Sequence, residues 1–137
     1  MTGDLLAASG PEWERAEPAS AQALELLKAA FELLPDAYLT LLSQTNGGEG
    51  ALGVAPGWFQ LWPAEQVPEL NSAYHIPEFL PGWIGIGSNG GGELLALDRP
   101  GRVQMIPFVP MDANDAVCIA EDIQALARQF GRRDDAT

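Results

Sequence analysis

The chain has 137 residues, 47% of them hydrophobic, with seven lysines and arginines against 19 aspartates and glutamates, a formal charge of −12. That length predicts a single domain able to bury about two-thirds of the surface its unfolded chain exposes, and the apolar content excludes a disordered acidic tail. The charge disfavours nucleic acid or an anionic membrane as partner, no apolar run is long enough to span a bilayer, and the start lacks the basic and apolar blocks of a signal peptide.

Residues 1–19 mix Gly, Pro, Ser and Ala with scattered charges and predict a loosely ordered N-terminal arm. A single domain over 20–131 and a short tail at 132–137 follow. Ser20 suits a helix cap, and Leu24, Leu27, Phe31 and Leu34 share one face of a helix running to about Leu33. Pro35 breaks that helix and starts a second, with Tyr38, Leu41 and Leu42 inward. Asn46-Gly47-Gly48 ends it in left-handed backbone. A Gly/Pro-rich loop with one short strand at Ala51 to Val54 leads to an aromatic strand from Trp58 to Trp62. Next comes a short helix from about Ala64, with Val67, Leu70 and Tyr74 on one side, and a proline-flanked connection from Ile76 to Pro81.

Two apolar runs then flank Gly87-Ser88-Asn89-Gly90-Gly91-Gly92. Glycines take positive φ without steric cost and Asn tolerates it, so the stretch predicts a hairpin turn in the middle of a sheet. Gly85-Ile86-Gly87-Ser88-Asn89-Gly90 also spells the dinucleotide fingerprint, but that motif needs a helix after the glycines. Glu93-Leu94-Leu95-Ala96-Leu97-Asp98 reads as a strand instead, and no Gly-Lys-Ser/Thr completes a P-loop. Beyond an Arg99-Pro100-Gly101 turn, Arg102 to Phe108 alternates as a third strand that leaves the sheet near Pro107 and Pro110. Asp112 or Asn114 would cap a last helix to about Phe130, with Ile119, Ile123, Leu126 and Phe130 inward. Arg128, Arg132 and Arg133 suit its negative end. The order α-α-β-α-β-β-β-α predicts an α+β domain, an antiparallel meander flanked by helices.

Several of these pieces fall in a familiar order. Leu34-Pro35-Asp36-Ala37-Tyr38-Leu39-Thr40-Leu41-Leu42 followed by Asn46-Gly47-Gly48 resembles the opening of the SUKH superfamily, in its branch named for the fungal Smi/Knr cell-wall regulators. Ile84 to Asp98 resembles that group's glycine-rich core, and Gly101 to Phe108 with Ile119-Ala120 its ending. The similarity covers about Leu24 to Phe130 and leaves the arm outside. It implies helices flanking a sheet and no catalytic residues. It further implies one of two roles: bacterial immunity against a toxin, often a nuclease, or a hub in signalling.

The residues offer little chemistry of their own. His75 is the only histidine, and Cys118, the only cysteine, falls within the expected last helix as a small buried hydrophobe. A single cysteine forms no internal disulfide and fits a reducing cytoplasm. One Cys and one His make no zinc site, and Asp112-Ala113-Asn114-Asp115 lacks the glycine and distal glutamate of a calcium loop. We therefore expect no metal, no cofactor and no enzymatic activity. Glu65 and Glu69 would share a face if their stretch is helical, but two adjacent exposed glutamates do not make a glycosidase pair.

Charge distribution points elsewhere. No lysine or arginine occurs between Ala29 and Asp98, a window holding eight acidic residues from Glu32 to Asp98. A basic protein would be attracted to such a surface, which equally aids solubility. We expect a protein-binding domain that contacts its partner through Glu65, Glu69, Tyr74, His75 and Glu78, with Trp58 and Trp62 as anchors. Under the resemblance, that partner is a cognate toxin such as a basic nuclease; the alternative is a regulatory or scaffold module without a toxin. A third reading, a small-molecule pocket or hydrolase, requires a deep cleft beside His75 or Asp98.

Overall fold

Strand order in the sheet equals strand order in the sequence. The structure, a computed structural model, describes residues 5–7 and 9–132. Its strands are β1 (Trp13–Arg15), β2 (Gly48–Ala51), β3 (Trp58–Leu61), β4 (Ile84–Ser88), β5 (Glu93–Leu97), β6 (Val103–Pro107) and β7 (Val117–Ala120), each antiparallel to the next. Helices α1 (Ala21–Ala30) and α2 (Asp36–Gln44) separate β1 from β2, while α3 (Val67–Ala73) and α4 (Ile76–Phe79) separate β3 from β4. Helix α5 (Ile123–Ala127) follows β7 and packs on α2. The α+β class and the meander are those expected.

Local chemistry accounts for most of these elements. Ser20 caps α1, its Oγ accepting from the Ala23 amide at 3.1 Å, and Leu27 is buried beneath that helix. Pro35 opens α2, and Tyr38, Leu41 and Leu42 are fully buried. Gly47 and Gly48 take positive φ after α2, as expected, although Gly48 also opens β2. That puts the short strand before the position expected from Ala51 to Val54. Burial pushes the Tyr38 hydroxyl's pKa upward, and the hydroxyl has no hydrogen-bond partner.

The glycine turn joins β4 to β5 with no helix behind it. Only Gly90 within it has positive φ, at 76°. Asn89 organises the rest through its side chain: Oδ1 accepts from the Gly91 amide at 2.9 Å and the Glu93 amide at 3.1 Å, while Nδ2 donates to Glu93 at 3.0 Å. Gly87 is needed for a different reason. A Cβ there would fall on the Gln60 carbonyl oxygen and the Phe59 ring, so β3 and β4 meet at that spacing only without a side chain.

Three expectations are corrected. The last helix does not start at Asp112: Asp112 caps only a 3-10 turn, Ala113–Asp115, and Val117–Ala120 pairs with β6. Val117, Cys118 and Ala120 pair with Met105, Gln104 and Val103, with Ile119 at a register shift, and the β-branched Val117 and Ile119 favour the extended backbone. Helix α5 begins only after Asp122, whose carboxylate accepts from the Ala125 amide at 2.8 Å. Cys118 is consequently exposed on an edge strand rather than buried in a helix. Ile76–Phe79 is helical where a connection was expected, because Pro77 suits a first turn.

The N-terminal segment also joins the sheet. Trp13–Arg15 pairs with β2, and the Trp13 ring stacks on Phe130 at 4.1 Å between centroids. Burying that indole contributes roughly 2–3 kcal/mol of apolar transfer, offset in part by an Nε1–H left buried without a partner. Gly10 N–H donates to the Phe130 carbonyl and Gly131 N–H to the Ala51 carbonyl, each at 2.7 Å. At the far end, Arg132 Nε donates to the Arg128 carbonyl at 2.7 Å, close to where α5 ends. Arg133 lies outside the described residues.

Candidate functional site

Helix α3 is tied to the sheet by one buried amide. Asn71 donates to the Val67 carbonyl at 2.7 Å and the Gly85 carbonyl at 3.0 Å, and accepts from the Gly85 amide at 2.8 Å. Gly85 lets the helix come close, since a Cβ there would crowd Ile76, Leu94 and Trp62. Between α3 and α4 the chain turns through His75 in left-handed backbone, φ 57° and ψ 35°. A non-glycine residue there costs on the order of 1 kcal/mol, and the packed helices hold it.

That turn sets Tyr74 and Phe79 on the surface beside the chain leaving β6. Phe108 donates its amide to the Gly92 carbonyl at 2.9 Å and lays its ring 4.6 Å from Tyr74, which stacks in turn on Trp62 at 6.1 Å. Tyr74, His75, Phe79, Phe108, Val109 and Met111 line a groove of about 670 Å³ with Asp112 also in its lining. Val109 is 88% exposed and Phe79 55% exposed. Glu78 stands beside the groove, 3.7 Å from His75 Nδ1.

The expected contact residues are distributed over three places. Tyr74, His75 and Glu78 are brought together. Trp62 is only 5% exposed and serves as the floor under Tyr74 rather than as an open anchor. Glu65 precedes α3, so it does not share a helical face with Glu69, which sits exposed on that helix. It accepts instead from Asn46 Nδ2 at 2.8 Å, and that bond, with its backbone amide, lowers its pKa. Trp58 lies on another surface with Glu12, Glu14 and Glu49. There Glu14 and Glu49 stand directly opposite each other on β1 and β2, a like-charge pair across a strand boundary.

Phe79, Phe108, Val109 and Met111 were not among the expected site residues. Their only sequence signal was the proline pair Pro107 and Pro110, which turns the chain out of the sheet. Asn89 in the glycine turn and Asp98 direct their side chains into their own turns. Asp98 accepts from the Gly101 amide (3.1 Å), the Arg102 amide (2.8 Å), Arg102 Nε (2.8 Å) and Gln104 Nε2 (3.0 Å), so its oxygens are committed to the β5–β6 turn. Burial raises its pKa, but the bonds from Gln104 and Arg102 outweigh that and hold it below the usual carboxylate range. Among the described residues no three His, Cys, Asp or Glu side chains gather as metal ligands would, and no helix is long and apolar enough to cross a membrane. None of the curated proteins matches the chain. A family model does: the SMI1 / KNR4 family (SUKH-1), over residues 18–129.

Proposed function

From the chain's membership of the SMI1 / KNR4 family (SUKH-1), a family of protein-interaction domains, we propose that it is an immunity protein that binds and neutralises a cognate bacterial toxin. It acts in the cytoplasm by covering the toxin's active site or substrate path, without catalysis. The observation that carries the binding role is the family match, which spans the helices and nearly the whole sheet. Charge supports a basic toxin, such as a nuclease. The window from Ala29 to Asp98 has no positive side chain, and Glu14 faces Glu49 across β1 and β2, where a partner's cation would relieve their repulsion. Tyr74, His75 and Glu78 form the contact surface, with Glu69 adding charge, and Trp62 supports Tyr74 from below.

Co-expression with the product of any adjacent toxin-like gene, and co-purification across a salt series, test this reading. Rescue of growth with a complex that weakens as salt rises is the expected result. A partner without toxic activity would establish a regulatory or scaffold role instead. Binding indifferent to ionic strength would remove the electrostatic part.

A further inference from the structure

Large apolar side chains are rarely left in water together on a small domain, and clusters of them mark contact surfaces. Among the described residues six large hydrophobic side chains are exposed, and three of them, Tyr74, Phe79 and Val109, meet at one groove. Its base is firm. Trp62, Tyr74 and Phe108 form a continuous aromatic stack, and Asn71 fixes α3, which carries Tyr74, to β4. A firm, concave, aromatic-lined site is what a single inserted side chain requires, because little ordering remains to be done on binding.

Charge decides what accompanies that side chain. Among the described residues no lysine or arginine lines the groove, Asp112 is part of its lining, and Glu78 stands beside the lining residue His75. Among the described residues no lysine or arginine pairs with Glu78, whose carboxylate lies 3.7 Å from His75 Nδ1. Asp112 Oδ1 already accepts from the Asn114 amide at 2.9 Å, but a carboxylate accepts more than one bond, so cations suit both sites and an acidic segment would be repelled. We propose that this groove receives an aromatic or long aliphatic side chain from a partner segment that carries Lys or Arg on either side of it, the cations reaching Glu78 and Asp112. The inference rests on the protein-interaction reading above and names the part of the partner that the surface recognises.

The probe is a short synthetic peptide with one tryptophan between arginines, titrated into the isotope-labelled full chain and followed by amide NMR shifts. Matched peptides replace the tryptophan by alanine or the arginines by glutamate. Saturable shifts centred on Tyr74, Phe79, Phe108 and Val109, with affinity falling about tenfold or more for either altered peptide, are expected. Phe79→Ser and Val109→Ser, both at exposed positions, should weaken binding similarly, while Leu33→Ser, exposed elsewhere, should not. Absence of saturable shifts, shifts centred on another surface, or equal binding of the alanine or glutamate peptide would overturn the proposal. The same variants separate it from the immunity reading. A toxin captured undiminished by Phe79→Ser and Val109→Ser removes the groove and leaves immunity standing. Peptide binding at the groove with no toxin captured leaves the groove and removes immunity.

Discussion

Replacing Asp98 by alanine tests how the β5–β6 turn is held. Its side chain is 3% exposed and gathers four donors, two from backbone amides and two from side chains. Not all four are lost equally. The Gly101 amide also donates to the Asp98 carbonyl at 3.0 Å and keeps that bond. The Arg102 side chain is 54% exposed, so water replaces its partner and the ion pair contributes only about 0–1 kcal/mol. That leaves the Arg102 amide and the buried Gln104 Nε2, each costing about 1–3 kcal/mol when unpaired. The sum is a loss of roughly 3–5 kcal/mol. Urea unfolding followed by tryptophan fluorescence should show the midpoint falling by roughly 2 M.

The pH dependence gives a second readout. The folded pKa of Asp98 lies below its unfolded value, so the unfolded state binds the proton more readily in between. Its stabilisation is fully present above about pH 4 and is lost as pH falls through the folded pKa. The gap between the wild type and Asp98→Ala should therefore narrow below about pH 4, with the other carboxylates common to both. A loss under about 1 kcal/mol, or a gap unchanged from neutral pH into that acid range, would refute the reasoning.

Gly87→Ala forces a methyl against the Gln60 carbonyl and the Phe59 ring, and should cost about 3 kcal/mol in the same unfolding assay. Near-neutral behaviour would mean that β3 and β4 are not packed as closely as described. Tyr38→Phe removes a buried hydroxyl that has no partner and should leave stability unchanged or raise it by about 1 kcal/mol, checked by thermal unfolding. A clear loss would reveal a bond to that oxygen. Cys118 should react with a thiol reagent at the rate of an exposed cysteine in the native protein, and Cys118→Ser should shift stability by no more than about 0.5 kcal/mol. Labelling only after denaturant is added would return the residue to the interior.

Features written in neighbouring residues were legible in the sequence. Ser20 before a helical period, Pro35 ahead of Tyr38, Leu41 and Leu42, and glycines between two apolar runs each act within a few positions. The failures involve partners far apart in the chain. Ile119, Ile123, Leu126 and Phe130 fall at helical spacing, but Ile119 belongs to β7 because β6 offers a pairing edge to its neighbours Cys118 and Ala120. Trp13 looked like part of a loose segment because its partner, Phe130, lies at the other end of the chain. The candidate site was half visible. Tyr74, His75 and Glu78 are neighbours in sequence, whereas Phe108 and Val109 reach them only through the path of the sheet.

A sheet whose ribbons bond only to their neighbours along the chain can be laid down in the order the polypeptide leaves the ribosome. Its outer margin follows another timetable. The Trp13 indole waits for Phe130, and Ala51 waits for Gly131, so a margin begun at Trp13 is fastened only once those later residues have been made. A chain halted before that point would hold a finished middle beside an indole covered only on its Phe59 side, and incomplete synthesis would then be open to chaperones and proteases.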